Sequence, residues 1–150
     1  KKYKNLTSDG KPAPHAHPDF VDTDFPMFRL ADVYLMYAEA NLRGGGGSKS
    51  DALNYINQLR QRAYGNSSGN ITDNQLTLDF IIDERARELY WEGHRRTDLI
   101  RFDLYTGDKY LWTWKGKVKE GTATDKHLNL FPIPASDLSA NPNLKQNDNY

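Results

Sequence analysis

The stretch ERARELYWEGHRRTDLIRF, residues 84–102, sets acids, arginines and aromatics side by side. Glu84, Glu88 and Glu92 recur at i, i+4 and i+8, so a helix here carries all three on one face. One reading is catalytic: two carboxylates flanking a sugar work as acid and base, or as acid and nucleophile, at separations of ~5 Å or ~6.5–9.5 Å. The other is structural. Arg85, Arg87, Arg95, Arg96 and Arg101 interleave with the acids almost one for one. An arginine neighbour keeps a carboxylate ionised, the wrong direction for a general acid. Acids and arginines at helical spacing make ion pairs between packed helices or a solvated face. The interleaving favours the structural reading, and with it a helical protein.

Upstream, DFPMFRLADVYLMYAEANL (residues 24–42) reads as a helix, with Asp24 as N-cap and Pro26 in the first turn, where its missing N–H costs nothing. Phe28, Ala31, Leu35, Ala38 and Leu42 form one apolar stripe; Val33, Met36, Tyr37 and Ala40 form a second. A helix apolar on two sides is expected to lie between neighbours. Gly44 to Gly47 end it. SKSDALNYINQLRQRAYG (residues 48–65) is a second helix, capped by Ser48 or Ser50, stopped by Gly65, with Ala52, Ile56, Leu59 and Ala63 inward. The short glycine connection makes the two a hairpin, the unit of helical-repeat folds. GGGGS also spells an engineered linker, but the fit of the helices on both sides favours a natural loop.

A polar loop, NSSGNITDNQ, leads to a third helix over about 77–91, with Leu78, Ile81, Ile82, Ala86 and Leu89 inward. Gly93 interrupts it, and one or two further turns follow. Residues 103–129 lose all periodicity and read as a long loop or weak hairpin. The closing run LNLFPIPASDLSANPNLKQNDNY adds a proline-braced extended segment and a short turn of helix capped by Ser136. The chain therefore reads as one mainly α domain over residues 1–150: an irregular lead-in to residue 26, helices over 27–102, and loops and short turns over 103–150.

Composition narrows the function. Twenty basic residues balance twenty acidic ones, pI 7.1, so the electrostatic footprint of a nucleic-acid binder is missing. No apolar run approaches the roughly 18 residues of a membrane span. The 150 residues contain no cysteine, which removes disulfides and thiolate metal sites. His15 and His17 form an HxH on a proline-rich segment with no third ligand at a telling spacing, Glu92 stands two residues from His94 rather than three, and His127 stands alone. No metal and no cofactor are expected. GxSxG is absent, and the glycine run lacks the following Lys-Ser/Thr of a phosphate loop.

The remaining candidate is LYTGDKYLWTWKGK (residues 104–117). Trp112 and Trp114 point to one side if this segment is extended, and sugar rings stack on flat aromatics. Tyr105, Tyr110, Lys109 and Lys115 supply a polar rim. The competing reading has the tryptophans covering the helical core from outside.

Three ordered motifs carry a resemblance. FRLADVYLMYAEANL with ALNYINQLRQRA resembles the C-terminal helix pair of the SusD/RagB family. IIDERARELYWEGHRRTDLIRF is similar to the family's ERxxELxxEGxRxxDLxR run, with Glu84, Arg85, Glu88, Leu89, Glu92, Gly93, Arg95, Asp98, Leu99 and Arg101 in register. LFPIPASDLSANPNLKQNDNY is similar to its closing PIPxxEL…NPxLxQNxGY, with Asp137 for Glu and Asp148-Asn149 where Pro-Gly is common; neither change is expected to touch anything chemical. The resemblance implies a mainly α fold with tetratricopeptide-like helix pairs, and makes the acid–arginine run an element that holds the fold. It implies a non-catalytic glycan- or nutrient-binding lipoprotein on the outer face of the outer membrane of Bacteroidetes. Its partner would be a SusC-like TonB-dependent transporter, and its lipid anchor would lie outside these residues. Family members are several times longer, so these residues correspond to the C-terminal portion, and apolar surface left exposed on it would promote self-association. Two alternatives stay open: a helical-repeat protein-interaction module with no sugar site, and a glycoside hydrolase using Glu84, Glu88 or Glu92.

Overall fold

The computed structural model describes residues 6–17, 19, 20, 22 and 24–150. They form five α-helices, with short 3-10 turns between them and only isolated β-bridges, so the fold is mainly α. No helix among the described residues is long and apolar enough to cross a membrane. The chain divides into two compact units, Lys1–Glu92 and Gly93–Tyr150, a division that falls inside the acid–arginine run.

In the first unit, α1 (Leu30–Leu42) packs against α2 (Lys49–Tyr64) and α3 (Leu78–Glu88). Ala31, Leu35 and Ala38 of α1, Ala52, Ile56 and Leu59 of α2, and Ile81, Ile82 and Leu89 at α3 make the core. Side chains three and four apart share a helix face, so these spacings turn one stripe of each helix inward. Tyr55 of α2 stacks on Tyr34 at 4.4 Å and takes Tyr37 edge-on at 5.2 Å. The glycine connection is shaped for its place: a Cβ on Gly47 would lie 2.6 Å from the Tyr37 hydroxyl, which accepts the Ser48 N–H at 2.8 Å. Ser48 then caps α2 through the Asp51 N–H, and Gly65 ends it at φ 73°.

Several boundaries differ from the sequence pattern. α1 starts at Leu30, not near Asp24; extended Arg29 (φ −148°) occupies the N-cap position, and Phe28 lies outside the helix at 80% exposure. The second stripe of α1 is not covered: Val33, Met36 and Ala40 are exposed and only Tyr37 is half-buried. Ala63 is exposed as well. α3 stops at Glu88, because Trp91 (φ 66°) and Gly93 (φ 78°) take left-handed backbone that cannot continue an α-helix. Two residues of the polar loop belong to the core: Ile71 and Leu76 are buried, and Asn57 clamps Ile71 by accepting its N–H (2.8 Å) and donating to its carbonyl (3.0 Å).

The second unit begins with α4 (Arg95–Arg101), whose Asp98 and Leu99 are buried. The carbonyl of Leu99 accepts the N–H groups of both Leu104 and Tyr105, turning the chain into the long loop. One bridge, Gly107 to Thr124, closes that loop. α5 (Ala135–Ala140) has Pro134, not Ser136, at its N-cap position, and no side chain caps it. Proline's fixed φ near −65° suits entry into a helix without a capping hydroxyl.

Candidate functional site

Glu84, Glu88 and Glu92 each receive an arginine from outside α3. Arg29 forks onto Glu92, its Nε and Nη2 each 2.7 Å from a carboxylate oxygen, and reaches Glu88 Oε1 at 2.5 Å and the Glu88 carbonyl at 2.7 Å. Arg62 of α2 takes the other Glu88 oxygen at 2.5 Å. Glu84 Oε2 accepts from Arg60 of α2 and from Arg87, both at 2.8 Å. Arg85 donates to Asp32 of α1, at 2.9 Å, and both partners are buried. Hydrogen bonding to Glu92, and then to Glu88, outweighs burial and raises the Arg29 guanidinium above its ordinary value. Both oxygens of Glu88 and of Glu92 are thus occupied by guanidinium groups, and a carboxyl so engaged has no free oxygen to offer a glycosidic bond. The arrangement is a clamp joining α1, α2, α3 and the turn after it.

The spacing put Glu84, Glu88 and Glu92 on one helix face, but α3 ends at Glu88 and Glu92 lies beyond it; their partners Arg29, Arg60 and Arg62 come from outside the run. In the second unit, Arg101 pairs with Asp98 at 2.7 Å. Arg95 donates to the Tyr110 hydroxyl at 3.2 Å, and Arg96 lies on the Phe131 ring at 3.9 Å while donating to the carbonyls of Leu128 and Asn129. Among the described residues no group of three or more His, Asp or Glu is placed to hold a metal ion. His15 faces the His17 carbonyl at 2.9 Å, and His94 sits at the N-cap position of α4 without a capping bond.

The aromatic loop of the second unit is tightly built. Trp112 is half-buried, with Tyr105 near-parallel at 6.1 Å, Tyr110 at 5.9 Å, and the Lys115 ammonium 4.7 Å above its ring. Lys115 is buried and donates to the Tyr110 carbonyl at 2.7 Å; burial pushes its ammonium below the usual lysine value, with Asp108 opposing. Trp114 is not extended. It sits in a turn at φ 70°, ψ 8°, and stays 63% exposed. Gly121 is required here, since a Cβ on it would lie 2.6 Å from the Trp112 carbonyl oxygen.

Trp112 and Trp114 nevertheless line one cavity of about 270 Å³, together with Tyr105, Lys117, Thr124 and Leu128. This lies just below the ~300–1,000 Å³ of small-ligand pockets. Tyr110 does not line it. Lys109 is drawn off to Asp103, so the polar rim falls to Lys117 and Thr124. The four aromatics therefore divide: three pack on one another and on Lys115, and Trp114 alone presents most of its ring to solvent.

The SusD family model matches residues 3–150, and the chain belongs to this family. It is 48% identical over 149 residues to the starch-binding protein SusD of Bacteroides thetaiotaomicron, covering 99% of this chain and 25% of that protein. A crystal structure of a SusD superfamily protein from Bacteroides thetaiotaomicron superposes with TM-score 0.65 at 33% identity, over 82% of this chain and 27% of the other. Surface glycan-binding protein A from Bacteroides uniformis superposes with TM-score 0.63 at 25% identity, over 85% of this chain and 28% of the other. The chain spans about a quarter of the length of the relatives it matches.

Proposed function

We propose that this chain is part of a non-catalytic glycan-binding protein of the outer membrane surface, working with a SusC-like TonB-dependent transporter in polysaccharide uptake. The observation that carries the reading is the exposed Trp114 ring at the mouth of a cavity whose other aromatics are locked in place. A flat apolar ring offers the stacking face a sugar needs, and a preformed loop spares most of the ordering cost. The family's relatives named for starch and for surface glycans support the same class of ligand. Transporter, outer-face location and lipid anchor follow from the family resemblance.

Calorimetric titration with a glycan panel tests it. Trp114→Ala is expected to lower affinity by about tenfold or more while the far-ultraviolet spectrum is unchanged, as for an exposed aromatic anchor. Trp112→Ala removes the ring on which Tyr105, Tyr110 and Lys115 pack, so it is expected to loosen the loop and weaken binding indirectly. Unchanged affinity in both variants removes this loop from the site.

A second reading, a protein-interaction module, is favoured by one observation: Leu30, Val33 and Met36 leave one side of α1 open, at 62%, 47% and 44% exposure. Such a stripe supports self-association of the chain.

A further inference from the structure

The second unit holds another cavity, of about 470 Å³, lined in part by residues of the same 124–130 segment that contributes Thr124 and Leu128 to the aromatic one. The C-terminal tail builds it. The Gln146 amide accepts the Ile133 N–H at 2.8 Å and donates to the Ile133 carbonyl at 3.0 Å. Asn147 donates to the Phe131 carbonyl at 2.7 Å, and the Tyr150 hydroxyl to that of Leu130 at 2.7 Å. Asp125, also in the lining, accepts from the backbone N–H of His127 at 2.9 Å and lies 2.8 Å from its Nδ1. These bonds fix the walls. Inside the frame, the side chains of Lys145, Asp148 and Asn149 line the space and make no hydrogen bond among the described residues.

Three features define what this space can take. Its volume lies within the ~300–1,000 Å³ of small-ligand pockets. Asp125 and Asp148 balance Lys126 and Lys145, so the lining favours a neutral polar molecule over an ion. Asn149 adopts φ 67°, which glycine takes freely and other residues take at a cost, so an amide is placed where a bare backbone would be easier. Amides, which donate and accept, and carboxylates, which accept, together match the adjacent hydroxyls of a sugar ring. One segment lines both cavities: Thr124 and Leu128 contribute to the aromatic one, Asp125, Lys126, His127 and Leu130 to the polar one.

We propose that the polar cavity is a second sugar subsite, and that one neutral, linear oligosaccharide passes over the 124–130 segment to occupy both. The proposal rests on the reading of the aromatic cavity as a glycan site. It is tested by titrating the whole chain with maltotriose and maltoheptaose, and with the cello-oligosaccharides of matching lengths. In the wild type, the longer member of the binding series is expected to bind about tenfold more tightly than the shorter, the yield of about two added hydrogen bonds. Asp148→Ala and Asn149→Gly are expected to bring that ratio to about twofold or less while the trisaccharide keeps its affinity. Asn149→Gly relieves a left-handed residue, so loss of fold is not a route to the same result. A ratio near one in the wild type, or a ratio that survives both variants, overturns the second subsite while trisaccharide binding lost in Trp114→Ala keeps the first. No binding in either series overturns both.

Discussion

Arg29→Met is expected to destabilise the first unit by about 3–5 kcal/mol, the cost of breaking a buried ion pair from one side. Arg29 joins α1 to the end of α3 and the turn after it: one guanidinium carries the fork on Glu92, a bond to the Glu88 carboxylate and another to the Glu88 carbonyl. The Glu92 side chain is only 2% exposed, so water does not replace the lost cation. Methionine keeps the apolar stem and deletes the charge. A fall in melting temperature of roughly 10 °C or more is expected for a unit of this size. Arg29→Lys is expected to recover only part of it, because an ammonium cannot make a planar fork. A shift of a degree or two in Arg29→Met would show that the clamp contributes no more than a surface pair.

The second large effect is expected at Asp32, which meets Arg85 across the α1–α3 contact with both side chains buried. Asp32→Leu removes the carboxylate that Arg85 meets at 2.9 Å in the core, and a loss of about 3–5 kcal/mol in urea unfolding is expected. Adding Arg85→Met to Asp32→Leu is expected to return most of that loss, since two apolar side chains of similar size restore packing without a desolvated ion pair. A double variant as unstable as the single would mean that the pair contributes more than it costs to desolvate. Additivity of the two single changes would mean that they do not interact.

The core was legible where periodicity speaks. Ala31, Leu35 and Ala38, Ala52, Ile56 and Leu59, and Ile81, Ile82 and Leu89 sit at helical spacing in the sequence and are buried in the fold. Ile71 and Leu76 were not legible, because two isolated apolar residues in a polar loop carry no period. The end of α3 was hidden for the opposite reason: Glu84, Glu88 and Glu92 keep helical spacing past the point where the helix stops. Glu92 reaches the same clamp through a left-handed turn at Trp91 instead. Its partners Arg29, Arg60 and Arg62 come from distant segments, which no local pattern encodes. In the loop, the wealth of aromatics marked residues 105–114, but which ring stays open depends on the positive φ of Trp114 and on Lys115 lying over Trp112. Asp148 and Asn149 read as changes without chemical weight, yet they line a cavity made only when the tail folds back on Ile133.

The most direct test compares wild type and Glu88→Gln for melting temperature, glycan affinity and release of reducing ends in one set of samples. The clamp predicts a lower melting temperature for the variant, equal glycan affinity, and no released sugar from either protein. Sugar released by the wild type and abolished in a still-folded Glu88→Gln would contradict it, and would make the glutamate a catalyst.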